Sequence, residues 1–285
     1  MIFMDPTSDL GFKKLFANIA HKEILISFLN SVLGRAEGDK IIDTVLNDPS
    51  NLPDSIKAKT SIVDVRCTDQ KNHQYIIEMQ VDSQMHYAAR AQYYSSIVLS
   101  RQLAKKERYE DLVPVIFVGV LDFTLFSGNS HYLSHHFILD KETYAHELKH
   151  LEFHFIELTK FNKEVDEYSA IVDKWIYFLK HAASLQKIPA TLKDPEIKEA
   201  FDILEQGNWS KAELEAYDRH LDDIRSYHGQ MDYAYDKGKI KGKIEVAQRL
   251  LQLNTLDNSA IAEITELTVE QIEELKNKQN SNKTD

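Results

Sequence analysis

The spacing of apolar residues changes period several times along the chain, and each change marks an element. Asp5-Pro6-Thr7-Ser8-Asp9 is a turn and capping cluster leading into Phe12-Lys13-Lys14-Leu15-Phe16. Glu23 to Leu33 has the same helical spacing until Gly34 stops it. Both stretches are predicted helices. Ile41 to Leu46 reads as a strand, and Asn47 to Asp54, with two prolines, as a loop. Alternation then takes over. Val63, Val65 and Cys67 share one face of a strand, and Ile77, Met79 and Val81 share one face of the next. The polar run Asp69-Gln70-Lys71-Asn72-His73 between them makes the pair a hairpin. Gln84 to Tyr109 has helical periodicity without glycine or proline, which predicts one long helix. Val113 to Phe123, Tyr132 to Leu139 and Leu151 to Leu158 read as strands. Beyond them the chain is mostly helical, near Glu167–Ser184, Pro195–Gln206 and Lys211–Tyr235. The basic stretch Lys237 to Glu245, with two glycines, is read as a solvated linker. Short helices at Glu245–Leu253, Ser259–Thr265 and Thr268–Lys276 follow, the last two similar to a helix-turn-helix with Thr268 as a cap. Asn277 to Asp285 is expected to fray.

The polar faces of the hairpin are its informative part. They carry Asp64 with Arg66 on one strand, and Glu78 with Gln80 on the other. A loop centred on Lys71 sets Asp64 across from Glu78; a centre half a residue later offsets them. Opposed carboxylates on a ladder repel. A hard, oxygen-ligated divalent ion such as Mg²⁺ would remove that cost. The plainer alternative is two solvated acids on an exposed sheet face.

Composition narrows the class. The chain has 285 residues, 43% of them hydrophobic and 28% charged, which suits a globular protein of one or two domains. No run approaches the roughly 20 apolar residues of a membrane span, and the N-terminus lacks a signal-peptide layout. Cys67, the single cysteine, excludes an internal disulfide and fits a reducing, cytoplasmic setting. The net charge of −11 falls entirely on residues 111–285, whereas residues 1–110 are neutral. A DNA contact confined to the first part is therefore not excluded, although no basic stripe argues for one.

The order helix, strand, hairpin with Asp and then Glu-x-Gln, long helix, strand resembles a PD-(D/E)xK nuclease core. Further stretches are similar to the recombination-promoting nuclease (Rpn) and transposase family. They are Asp5 to Phe16, Ser61-Ile62-Val63-Asp64-Val65, Ile77-Glu78-Met79-Gln80, Arg90-Ala91-Gln92-Tyr93-Tyr94, Leu112 to Ile116, Phe155 to Phe161, Trp175 to Leu179 and the Gly-Lys-rich tail. The resemblance covers nearly the whole chain in order. It implies an α+β restriction-endonuclease-like core, a central mixed sheet flanked by helices, then a mainly helical C-terminal region. It also implies metal-dependent hydrolysis of DNA phosphodiesters, with Asp64 and Glu78 as ligands of Mg²⁺ (Mn²⁺ as a substitute) and Gln80 orienting the attacking water.

Gln80 departs from the lysine usual in the wider superfamily, and glutamine supplies no charge. The missing cation is then Lys13, Arg66 or Arg90, with Arg66 equally read as a plain salt-bridge partner. Asp9 is a supporting acid at the site or an N-cap. Arg90, Tyr94, Ile97 and Arg101 fall on one helical face, where Arg90 and Arg101 grip phosphates and Tyr93 or Tyr94 packs on a sugar, or where the arginines make local ion pairs and the tyrosines are core. The histidines between His131 and His154 make no zinc pattern.

These readings divide the chain into a nuclease-like core at 1–160, a helical extension at 161–236, and a linker with a short helical tail at 237–285. The expected activity is Mg²⁺-dependent endonucleolytic cleavage of double-stranded DNA with low sequence specificity, promoting recombination or DNA mobility. Catalysis is assigned to Asp64, Glu78, Gln80 and Asp9, and DNA binding to Lys13, Arg66, Arg90 and Tyr94. A homodimer is left open, and no membrane is involved. The alternatives are a non-catalytic DNA-binding or assembly protein that keeps the fold, and an RNA-directed nuclease toxin.

Overall fold

The computed structural model describes residues 1–47, 64–103, 108–166 and 169–281, the side chains of 279–281 excepted. Six strands form one mixed sheet: β1 (Thr44–Asn47), β2 (Val65–Asp69), β3 (Gln74–Gln80), β4 (Val115–Leu121), β5 (Leu133–Ile138) and β6 (Leu148–Glu157). Their spatial order is β1-β2-β3-β4-β6-β5. The β2–β3 hairpin is antiparallel, β3 runs parallel to β4, and β4 parallel to β6. The β3-to-β4 crossover is made by a helix, as a parallel pair requires.

That helix, α3 (Tyr87–Ser100), covers one sheet face: Tyr87, Ala91, Tyr94 and Val98 pack on Ile76, Phe117 and Phe155. The opposite face carries Ile77, Ile116 and Val118, also buried. β4 is buried along its whole length, which accounts for its unbroken apolar run. The remaining helices of this part are α1 (Asp9–Phe16), α2 (Lys22–Leu33), α4 (Ile171–His181) and α5 (Pro195–Leu204). They pack through an aromatic cluster in which Trp175 meets Phe16 and Phe28, and Phe178 meets Phe201.

The chain divides into two compact units, Met1–Ser210 and Lys211–Asp285. The boundary expected at 160 is absent because α4 and α5 share their core with α1 and α2, and the Met4 N–H bonds the Leu204 carbonyl. The linker expected at 237 is also absent. A single helix, α6, spans Lys211–Leu253 and runs through Gly238 and Gly242. Each glycine costs about 1 kcal/mol, but a helix already formed on both sides propagates through it. The C-terminal end of α6 packs with α7 (Asn258–Thr265) and α8 (Val269–Ser281) around Ala247, Ile261 and Ile272. Thr268 and Gln271 cap each other's backbone at the start of α8. Helix persists to Ser281 where fraying was expected from Asn277; 282–285 lie outside the described residues.

The long helix expected over Gln84–Tyr109 ends at Ser100. There the Gln102 amide takes both the N–H and the carbonyl of Val113, at 2.8 and 2.9 Å, and turns the chain toward β4. The loop expected at 47–54 and the start of the first hairpin strand, 61–63, fall outside the described residues apart from Asn47, which belongs to β1.

Candidate active site

The hairpin turn fixes the geometry of the site. Asp69 Oδ1 accepts the N–H groups of Lys71 and His73, at 2.8 and 2.9 Å, while Oδ2 receives the Tyr75 hydroxyl at 2.8 Å. Asn72 takes the left-handed conformation that closes the turn. The register that follows pairs Val65 with Ile77 and Cys67 with Tyr75. One step further out it sets Asp64 across from Glu78. Asp64 lies just before β2, and its Oδ2 accepts the Met79 N–H at 2.8 Å.

Neither acid is a solvated face residue. Glu78 is 5% exposed, between β2 and β4 and beneath α3. Burial pushes its carboxyl up to about 7; Arg90 pulls against that shift and Asp64 adds to it. Burial likewise lifts Asp64 to about 6, against the Met79 N–H and Lys13, with Asp9 raising it further. The neighbouring Asp64 charge thus makes Glu78 still harder to ionise.

Helix α3 supplies the remaining partners. It starts after His86, a non-glycine residue at φ 64°, and presents Tyr87 and Arg90, three residues apart on one face. The Tyr87 hydroxyl donates to Glu78 Oε2 at 3.3 Å. Burial and the neighbouring Glu78 raise its pKa, so it stays a neutral donor. Gly119, opposite Glu78 on β4, makes room for it: a Cβ there would stand 3.1 Å from the Tyr87 hydroxyl and 3.0 Å from the Phe155 ring. Arg90 Nη2 donates to Gln80 Oε1 at 2.9 Å and lies 3.6 Å from Glu78 Oε2. Its Nη1 bonds Gln84, and its guanidinium sits 4.8 Å above the Tyr87 ring. Its Nε is buried and has no hydrogen-bond partner among the described residues.

The other sequence candidates are placed unevenly. Ser8, not Asp9, caps α1 by accepting the Gly11 N–H. Asp9 pairs with Lys13 at 2.5 Å, and both are felt by Asp64. Arg66 turns away from the acids and bonds Gln74 at 3.4 Å. Tyr94 is 6% exposed within the α3 core cluster, so it cannot pack on a sugar, whereas Tyr93 beside it is exposed. Arg101 falls just past the helix end. Tyr87 was missed from the sequence; its only signal is the three-residue spacing to Arg90.

Among the described residues no three His, Cys, Asp or Glu side chains are placed together to hold a metal. Asp9 therefore does not complete a three-acid cage. The donor chemistry nevertheless fits a hard ion. The buried Glu78 and the half-buried Asp64 opposite it both resist ionisation, and Mg²⁺ binds through one or two carboxylates while keeping waters for its other positions.

A mixed sheet whose hairpin opposes an Asp to a Glu-x-Gln, backed by the crossover helix, has the layout of the PD-(D/E)xK nuclease fold. The family model described as PD-(D/E)XK nuclease family transposase matches residues 6–234. The chain belongs to that family. Comparison with curated proteins and with solved structures gives no match.

Proposed function

We propose that the chain is a Mg²⁺-dependent endonuclease that hydrolyses the phosphodiester bonds of double-stranded DNA with little sequence preference and promotes recombination or DNA mobility. The observation that carries this reading is the opposition of the half-buried Asp64 and the buried Glu78 with Gln80 and Arg90 beside them. Asp64 and Glu78 would hold the ion. When bound, it polarises the scissile phosphate and makes a coordinated water acidic enough to attack at neutral pH.

The protein's own groups supply the rest. Arg90 occupies Gln80 Oε1, which leaves the Gln80 amide N–H₂ to orient a water or a phosphate oxygen. Arg90 also brings a permanent positive charge to a site whose strand carries none at position 80. Tyr87 holds Glu78 in place from the helix side. Asp9 and Lys13 form an ion pair at the edge of the site, where Lys13 can exchange Asp9 for a backbone phosphate. A homodimer would let two such sites act on two strands, and a cytoplasmic setting fits the lone, buried Cys67.

The test is supercoiled plasmid incubated with purified protein and Mg²⁺, alongside Asp64→Ala. Cleavage by the wild type that disappears in the variant and in chelator supports the proposal. Equal cleavage by both proteins refutes it. A labelled RNA in the same assay separates the DNA substrate from an RNA one.

A further inference from the structure

The middle of α6 is a long helix with little of its own chain around it. From Arg225 to Gly242 every residue is exposed, including Met231 at 53% and Tyr235 at 72%. A helix without packing is marginal in water, and this one also carries glycines that nothing local requires. Gly238 and Gly242 have ordinary helical backbone angles, and a Cβ on either would meet no atom within 4 Å. Glycine in a helix interior costs about 1 kcal/mol relative to alanine. The usual compensation is close approach by another surface, and the described residues provide none here.

The order of side chains identifies that surface. Leu221, Ile224, His228, Met231, Tyr235 and Gly238 recur at alternating spacings of three and four, the seam of a coiled coil. We propose that α6 pairs antiparallel, along Leu221 to Gly238, with the same stretch of a second copy of this chain. In that arrangement Leu221 faces the partner's Gly238, Ile224 faces the partner's Tyr235, and His228 faces the partner's Met231. The outer layers thus set Leu221 into the space left by the partner's Gly238, and the inner layers pair Ile224 with Tyr235 and His228 with Met231.

Charge fixes both direction and register. The positions flanking the seam hold Asp218, Arg225, Asp232 and Lys239. Antiparallel pairing in this register sets Asp218 against the partner's Lys239 and Arg225 against the partner's Asp232. All four pairs across the two-fold are attractive. A slip of one heptad in one direction opposes Asp218 to the partner's Asp232 and Arg225 to the partner's Arg225. A slip the other way opposes Arg225 to the partner's Lys239 and Asp232 to the partner's Asp232. A parallel pair would stack Gly238 on the partner's Gly238, leaving that layer without side chains. Arg225 already reaches Asp222 at 3.0 Å, but both side chains are about three-quarters exposed, so that contact is readily exchanged.

The experiment is sedimentation equilibrium of the full chain over a wide concentration range at low salt. The wild type is expected to show a reversible monomer–dimer equilibrium. Arg225→Glu reverses two symmetry-related pairs and should raise the dimer Kd about tenfold or more. The double variant Arg225→Glu with Asp232→Arg should restore the wild-type value. For orientation, a chain carrying His228→Cys mixed with one carrying Met231→Cys should form the mixed disulfide in preference to either homodisulfide. The only native thiol, Cys67, is buried and does not compete. A monomeric wild type, a dimer indifferent to Arg225→Glu, or preferred homodisulfides would each overturn the proposal. None of these readouts depends on nuclease activity.

Discussion

Glu78→Gln tests whether the site holds its acids at a cost to the fold. The substitution keeps shape and hydrogen-bonding capacity and removes one buried negative charge. Moving a glutamate from its ordinary 4.5 to about 7 corresponds to a destabilisation of about 3 kcal/mol at about 1.36 kcal/mol per pH unit. The sign follows from proton binding. The folded chain holds this proton more tightly than the unfolded one, so the stability it brings is complete below pH 4.5 and is lost as the pH rises through 7. The variant should therefore match the wild type near pH 4.5 and exceed it by about 3 kcal/mol at pH 8, or about 6–12 °C in melting temperature for a unit of this size. Urea unfolding at both pH values, in chelator, measures the difference. If Glu78 holds Mg²⁺ as proposed, added Mg²⁺ should narrow the gap at pH 8, since binding would stabilise the folded wild type and the variant would lack that ligand. A variant no more stable than the wild type at pH 8, or a difference independent of pH, would refute the reasoning.

Three further outcomes follow from the same contacts. Arg90→Ala removes the charge beside Glu78 and Gln80; plasmid cleavage should fall about a hundredfold, and the acidic limb of its pH–rate profile should move to higher pH because Glu78 loses the group that lowers its pKa. Asp69→Ala strips the hairpin turn of bonds to two backbone N–H groups and the Tyr75 hydroxyl; stability by urea unfolding should drop by about 3 kcal/mol, with cleavage lost in proportion to the misregistered hairpin. Gly119→Ala forces a methyl against Tyr87 and Phe155 and should cost about 1–3 kcal/mol by overpacking, while slowing cleavage more than Tyr87→Phe does.

The hairpin was legible in the sequence because local chemistry specifies it: a polar turn from Asp69 to His73, flanked by alternation whose phase can be counted from either side. Opposition of Asp64 and Glu78 follows from that count once the turn is centred on Lys71. What covers the acids could not be counted. Alternation says which side chains share a face, not whether a helix lies on it, and the burial of Glu78 comes from α3 packing on Ile76, Phe117 and Phe155. Tyr94 was ambiguous for a related reason, since a tyrosine suits both a core and a nucleic-acid surface. The linker expected at Lys237–Glu245 failed because a local penalty of about 1 kcal/mol per glycine does not outweigh the cooperativity of a 43-residue helix.

On the function proposed above, Arg90 on α3 stands in for the strand lysine usual at position 80, and that substitution has structural consequences. A lysine at position 80 would carry its charge on the same strand as Glu78, so one element would place both. Here the charge arrives on α3, and its position depends on how that helix docks. Several contacts hold it: Gln80 and Gln84 on the guanidinium, Glu78 nearby, and the Tyr87 ring beneath. Gln80 is suited to this arrangement because its carbonyl accepts from Arg90, whereas a lysine there would repel the guanidinium. Glutamine at 80 and arginine at 90 therefore act as a matched pair. Among the described residues the buried Nε of Arg90 has no hydrogen-bond partner, and on the proposed function an incoming phosphate oxygen is the kind of acceptor that would satisfy it.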